Sequence, residues 1–284
     1  MRFCSQNCRT SSSTIEKLDR SPTYIEFLNN YLVNNRPVLI GKDLVESWPA
    51  FRLWTDDSDK NNINWDYLVD VYGSQTVPVT NCRVPSTDSC TDEIALSEVI
   101  EGWLRPERDT VNKNPPLLYV KDWHLARWVS RNPPIQRFYT TPPLFADDWL
   151  NYHYCTFTYD DFRFVYVGIQ GTSTPFHKDV YDSYSWSTNV AGRKLWTFWT
   201  PDDEARKQPG IELIQEAGDT VFVFVTFRSS GKVLLRKLTI KSALKALAVG
   251  SIPLRTSPPA SQSITTGVTR STSPRCTLRS AIGS

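Results

Sequence analysis

The sequence predicts an α+β chain: helices first, then a β-sandwich or jelly roll that breaks off before its last strands. Three observations carry this. Apolar residues recur at helical spacing near the N-terminus, short aromatic and β-branched runs crowd together from Arg163 onward, and the composition changes abruptly after Phe227. At 284 residues the chain is long enough for one large domain or two small ones.

The elements follow in order. Ser21-Pro22 pairs an N-capping residue with proline at the first helical position, and Tyr24, Phe27, Leu28, Tyr31 and Leu32 then form one apolar face. Arg36-Pro37 ends that helix, and Val38-Leu39-Ile40 reads as a short buried strand. Asn64 to Tyr72 and Ala95 to Leu104 are further helices, and Val77 to Cys82 and Leu117 to Val120 are strands. A short helix is predicted over Asp122 to Val129, stopped before Pro133-Pro134. Phe164 to Ile169, Tyr184 to Val190 and Lys194 to Trp199 are strands punctuated by Gly171, Gly192 and Pro201. Ile211 to Ile214 and Thr220 to Val225 continue the series around an Ala217-Gly218-Asp219 turn.

Charge divides the chain in two. All 30 acidic residues lie at or before Asp219, whereas ten of the 32 basic residues lie after Phe227. Residues 1–227 thus set 22 basic groups against 30 acidic ones, for −8, and residues 228–284 carry +10. That last segment has no aromatic residue and is rich in Ser, Thr and Pro. Its pattern predicts a basic amphipathic helix over Leu234 to Val249, anchored by Leu235, Leu238, Leu244 and Leu247, with disorder beyond. The organisation expected is a disordered N-terminus over residues 1–20, a domain over 21–227, and a basic tail over 228–284. Such a tail suits nucleic acid or an anionic surface, and is the one part of the chain expected to contact nucleic acid.

No apolar run is long enough to cross a bilayer, and Met1 to Ser13 has no apolar stretch of a secretory signal. Six cysteines without a repeating spacing suit reduced thiols, and Cys4 and Cys8 lack the second pair of a zinc ribbon. A cytoplasmic chain, also found in the nucleus, is expected, with no membrane partner.

Only three histidines are present, so each can be weighed. His177 lies in Thr174-Pro175-Phe176-His177-Lys178-Asp179, and on a strand a His-x-Asp pair turns both side chains to one face. With a distant second histidine, such a pair completes the 2-His-1-carboxylate triad that leaves open positions on Fe(II) for a 2-oxo acid and O2. His-x-Asp is a weak motif, and taken by itself a structural histidine is the more frequent explanation. Lys194, seventeen residues on, is a cation able to hold the far carboxylate of a dicarboxylic cosubstrate, and the Thr174 hydroxyl can add a donor. A solvated lysine beside a turn and a threonine chosen for strand propensity are the plain alternatives. His124, beside Trp123 and Trp128, reads as a packed histidine, and His153, between two tyrosines, as at most a pocket wall. Asp160-Asp161 reads as a solvated turn, and the tryptophans as core.

Phe164 through Trp199, with Thr-Pro-Phe-His-Lys-Asp-Val-Tyr and Ser-Trp-Ser-Thr-Asn-Val-Ala-Gly-Arg-Lys-Leu-Trp, resembles the jumonji-C oxygenases. Leu118 to Leu125 and Ile211 to Asp219 agree, so the resemblance spans about residues 20–223. It implies a double-stranded β-helix (jelly roll) with flanking N-terminal helices, and a Fe(II)- and 2-oxoglutarate-dependent protein hydroxylase. His177 and Asp179 would be the iron ligands, Thr174 and Lys194 would hold the 2-oxoglutarate C5 carboxylate, and Asn189 would join the cosubstrate pocket. Within the family it points to members that hydroxylate a lysine of the translation release factor, which makes that factor the expected partner.

The chain departs from the family after Val223. No histidine follows His177, and the place of the distal ligand, near residue 229, holds serine. A read-through intron, a frameshift or an alternative exon accounts for both the lost ligand and the charge shift. A non-catalytic binding module accounts for the first alone. A jelly roll without its final strands would leave an open edge at Thr220 to Val225, which predicts poor solubility.

Overall fold

The computed structural model describes residues 14–85, 91–105, 115–179, 181, 183–200, 208–223, 228–233 and 237–244. Among these described residues, thirteen strands form two sheets. The larger is built from β1 (Glu16–Leu18), β2 (Val38–Ile40), β3 (Thr76–Asn81), β4 (Thr91–Ala95), β5 (Leu118–Trp123), β6 (Arg163–Gly168), β8 (Tyr184–Ala191), β11 (Thr220–Val223) and β13 (Lys237–Leu244). These run in the order β1-β2-β11-β8-β13-β6-β5-β3-β4. The smaller takes β7 (Ser173–His177), β9 (Lys194–Trp199), β10 (Ile211–Gln215) and β12 (Arg228–Val233) in the order β10-β9-β12-β7. The order alternates between early and late strands, so the two sheets are wound together as a jelly roll.

Helices cover the outer face of the larger sheet. Helix α1 (Tyr24–Phe27) runs into a π-helical turn over Leu28–Leu32, and α2 (Pro49–Leu53), α3 (Trp65–Tyr72), α4 (Leu96–Val99), α5 (Leu125–Arg131) and α6 (Trp149–Phe157) follow. The cap of α1 is Thr23 rather than Ser21. Thr23 and Glu26 form a reciprocal capping box, which satisfies two N-terminal amides at once. The helix expected over Asp122 to Val129 starts later, at Leu125. Asp122 still belongs to β5, at φ 57° beside a register shift, and so cannot begin a helix there.

Period-two alternation sorts the side chains of the sheet. Phe222 faces the helices, where it meets Phe27 edge-on at 4.9 Å and stacks with Tyr184 at 5.5 Å. Its neighbours Val221 and Val223 face the interior and pack with Leu39, Trp196 and Phe198 between the two sheets. Trp186, Trp54 and Trp196 are fully buried, as expected of core tryptophans, but Trp149 is half exposed on α6.

The last segment corrects two expectations. Residues 228–233 and 237–244 are strands, not a tail and an amphipathic helix. Strand β12 pairs antiparallel with β7 and β9, and β13 with β6 and β8. Pairing uses backbone groups that every residue carries, so a basic, serine-rich stretch can fill a vacant ladder between strands. Lys-Leu-Thr-Ile-Lys-Ser over residues 237–242 also alternates with period two, which the leucine spacing had masked. Thr220–Val223 is consequently no open edge, because β11 lies between β2 and β8. The expected cause of poor solubility is therefore absent. Order also begins before residue 21, since β1 pairs in parallel with β2. Residues 1–13 and 245–284, including part of the predicted helix and the predicted disorder, lie outside the described residues.

Candidate metal and cosubstrate site

Strand β7 ends at His177. The His177 Nδ1 lies 2.8 Å from its own strand's Pro175 carbonyl oxygen. A carbonyl only accepts, so Nδ1 carries the proton and Nε2 presents a lone pair. That Nε2 faces the Asp179 carboxylate, with Oδ1 3.7 Å away. Ser185 on β8 donates to the other oxygen of Asp179, Oδ2, at 2.5 Å, and fixes its rotation. Two electron-pair donors facing each other at this distance suit a shared cation, since both can lie within the 2.0–2.2 Å of a metal–ligand bond. The pair therefore fits two protein positions of an iron site.

The third position does not fit. Antiparallel register places Ser229 of β12 directly opposite His177, and Ser229 is 3% exposed. A neutral hydroxyl there is a far weaker donor to Fe(II) than an imidazole. Among the described residues, the one trio of His, Cys or carboxylate donors within reach of a common ion lies elsewhere, at His124, Asp160 and Asp161. That trio is already neutralised. Arg127 holds Asp160 at 2.9 Å, Arg163 holds Asp161 at 2.8 Å, and the His124 Nδ1 lies 2.6 Å from Asp161. It is an ion-pair network joining α5 to β6. Asp161 is buried within it rather than solvated in a turn. His153 is exposed on α6 against Phe157 and Tyr154, and is not a pocket wall.

Behind His177 the two sheets enclose a small pocket. Thr174 and Lys194 line it from the smaller sheet, and Tyr119, Tyr166 and Ser187 from the larger. Lys194 is 5% exposed, and its Nζ sits 3.2 Å from the centroid of the Trp196 ring. A buried ammonium at the pocket wall is a group suited to receive an anion. The free space is about 20 Å³, the room of one water, so a dicarboxylate needs the lining side chains to move apart. Gly231 of β12 permits the present pose: a Cβ there would lie 2.3 Å from the Lys194 Cε and 3.0 Å from its Nζ. Gly231→Ala is therefore expected to leave folding nearly unchanged, since a flexible side chain yields, while weakening 2-oxoglutarate binding about tenfold by displacing the ammonium. Anaerobic titration calorimetry checks this, and equal affinity would contradict it.

Sequence reasoning missed the two tyrosines. Tyr119 hydrogen-bonds Thr174, and burial pushes its hydroxyl well above the usual phenol range. Tyr166 donates to Asp122 Oδ1 at 2.7 Å, and burial, then the Asp122 charge, raise it likewise. Both stay neutral and serve as hydrogen-bond groups. Each lies on its own strand, so no spacing in the chain signals their meeting. Asn189 is placed elsewhere. Its amide donates to the Gly192 carbonyl at 2.6 Å and to the Gln215 carbonyl at 3.4 Å, tying the β8–β9 turn. Ser185 and Ser187, on the same face of β8, stand where Asn189 was expected, Ser185 bonded to Asp179 and Ser187 in the pocket lining.

No helix among the described residues is long and apolar enough to cross a membrane. Comparison with known proteins adds the ancestry. The chain is 35% identical over 238 residues to the chicken 2-oxoglutarate and iron-dependent oxygenase JMJD4, covering 74% of this chain and 54% of that protein. Against the human protein of that name, identity is 32% over 230 residues, covering 71% of this chain and 54% of the other. The arginine-specific demethylase JMJ20 of Arabidopsis thaliana is 34% identical over 231 residues, 73% of this chain and 48% of that protein. The chain thus spans about half the length of the relatives it matches. With the family model of the cupin-like domain matching residues 24–233, most of its length and both sheets of its jelly roll, the chain belongs to the cupin-like family, in its jumonji-C branch.

Proposed function

We propose that this chain is a Fe(II)- and 2-oxoglutarate-dependent protein hydroxylase that works well below the level of its relatives because iron is held by two protein ligands. The observation carrying this reading is the convergence of His177, Asp179, Thr174 and Lys194 on one end of the jelly roll. Bound iron with 2-oxoglutarate and O2 supplies the oxidation that places a hydroxyl on a C–H bond, with succinate and CO2 as the other products. The chain's own residues do the rest. His177, its tautomer set by Pro175, and Asp179, its rotation set by Ser185, hold the ion. Lys194 and the Thr174 and Tyr119 hydroxyls hold the remote carboxylate. The target we assign is a lysine of the translation release factor, in the cytosol, on the resemblance carried by Phe164 through Trp199. The name of the Arabidopsis relative suggests methylarginine as a competing target, since a hydroxylated N-methyl group breaks its C–N bond, leaving N–H and releasing formaldehyde.

A second reading, a binding module without catalysis, is favoured by Ser229 opposite His177. Following succinate formation with added Fe(II) separates the two. Slow turnover that disappears in His177→Ala is the expected result. Iron binding with no succinate in either protein would leave only the binding module. Succinate in the presence of a release-factor peptide, with hydroxylysine by mass spectrometry, tests the substrate.

A further inference from the structure

A second cavity lies on the other side of the major sheet from the metal pair. On β6, Tyr166 lines the cosubstrate pocket, whereas Val165 and Val167 pack into the helical core. Arg163 shares the face of those valines by period two. It reaches a separate cavity of about 350 Å³ between α5 and the segment 137–141, lined also by Val129, Arg137, Phe138, Tyr139 and Thr141. Volume alone puts this space in the range of small-molecule sites.

Charge accounting decides what such a site would take. Arg163 spends its charge on Asp161, through Nε at 2.8 Å and a second nitrogen at 2.8 Å, and Arg127 spends its own on Asp160. Arg137 is exposed at the rim, and neither it nor Thr140 or Thr141 makes a hydrogen bond or ion pair with another described residue. One uncompensated guanidinium thus faces a cavity whose lining includes Phe138 and Tyr139. Tyr139 is braced from behind by Trp48 at 5.4 Å and Trp186 at 6.0 Å, so the aromatic wall is rigid. Its hydroxyl, pushed up to about 12 by burial, stays protonated and adds no charge.

The geometry points to a second ligand site, for an organic monocarboxylate. Arg137 takes the carboxylate in a forked pair, the Thr140 and Thr141 hydroxyls flank it, and the apolar body lies on Phe138 and Tyr139. A dianion such as phosphate would meet only one uncompensated cation and would leave the aromatic wall uncovered. The site is independent of iron and of the reading given above for the metal pair.

Titration calorimetry of the full chain with benzoate, and separately with inorganic phosphate, tests this without metal or cosubstrate. A saturable benzoate isotherm is expected, weakened about ten- to a hundredfold in Arg137→Ala, with phosphate binding much more weakly. Arg137 is exposed, so the variant retains the fold, and an unchanged circular-dichroism melt verifies that. Absence of saturable benzoate binding, or equal affinity in Arg137→Ala, overturns the site. Phosphate binding as tightly as benzoate overturns the assigned ligand class.

Discussion

Replacing Ser229 by histidine is expected to raise Fe(II) affinity by about a hundredfold or more and to raise succinate formation with it. The size follows from a comparison. Disturbing only the groups that orient a metal ligand typically costs about 10- to 100-fold in affinity, and supplying a missing ligand is worth at least as much. Register makes the site specific: Ser229 pairs with His177 across β7 and with Phe198 across β9. A side chain there starts one strand away from Nε2 of His177. Since Ser229 is buried, the larger side chain also costs packing energy, about 1–3 kcal/mol. Ser229→Leu carries that cost without a ligand and is the control. Anaerobic Fe(II) titration followed by a succinate assay should separate the two variants widely. If the histidine and leucine proteins bind iron alike, residue 229 is not the third position and the two-ligand explanation fails.

Truncating Trp186 to alanine is expected to have the largest effect on stability, about 3–5 kcal/mol. Trp186 is fully buried, stacks on Phe145 at 5.3 Å, and meets Trp48 and Tyr139 edge-on at 6.1 and 6.0 Å. It joins the outer face of β8 to α2 and to the segment around Phe138. At this chain length the loss corresponds to roughly 10 °C in melting temperature. Trp186→Phe should lose far less. The indole N–H is buried without a hydrogen-bond partner, so removing it relieves a desolvation cost while keeping the ring contacts. A thermal melt in which the phenylalanine variant falls as far as the alanine one would show that shape, not ring contact, dominates. The alanine change should also loosen the metal pair, because Ser185 and Ser187 flank Trp186 on the opposite face of β8 and hold Asp179 and the pocket wall.

Much of the site was legible in the chain. His177 closes β7 and Asp179 follows two residues on, past the end of the strand, so the pair itself was legible, while the way its two side chains face each other depends on the Ser185 hydrogen bond to Asp179. Lys194 and Thr174 were legible through the resemblance of their surroundings. Tyr119 and Tyr166 were not, since their role depends on β5 and β6 pairing beneath the smaller sheet. Asn189 was misplaced for a related reason. Period two gave it the correct face of β8, but nothing local indicates how far along the barrel the pocket extends. The strands over 228–233 and 237–244 were missed because composition was read as a bar to pairing, whereas a ladder needs only backbone amides and carbonyls.

By itself, then, the amino-acid order determined the helix faces, the His-x-Asp pair and the loss of any histidine beyond it, because these depend on residue identity and short-range periodicity. Only the tertiary structure decided that Ser229 stands opposite His177, that Lys194 is buried over Trp196, and that Arg137 and Arg163 border one cavity. Those facts depend on register between strands far apart in sequence and on which face of the sheet each element covers. Both are set by the packing of the whole core.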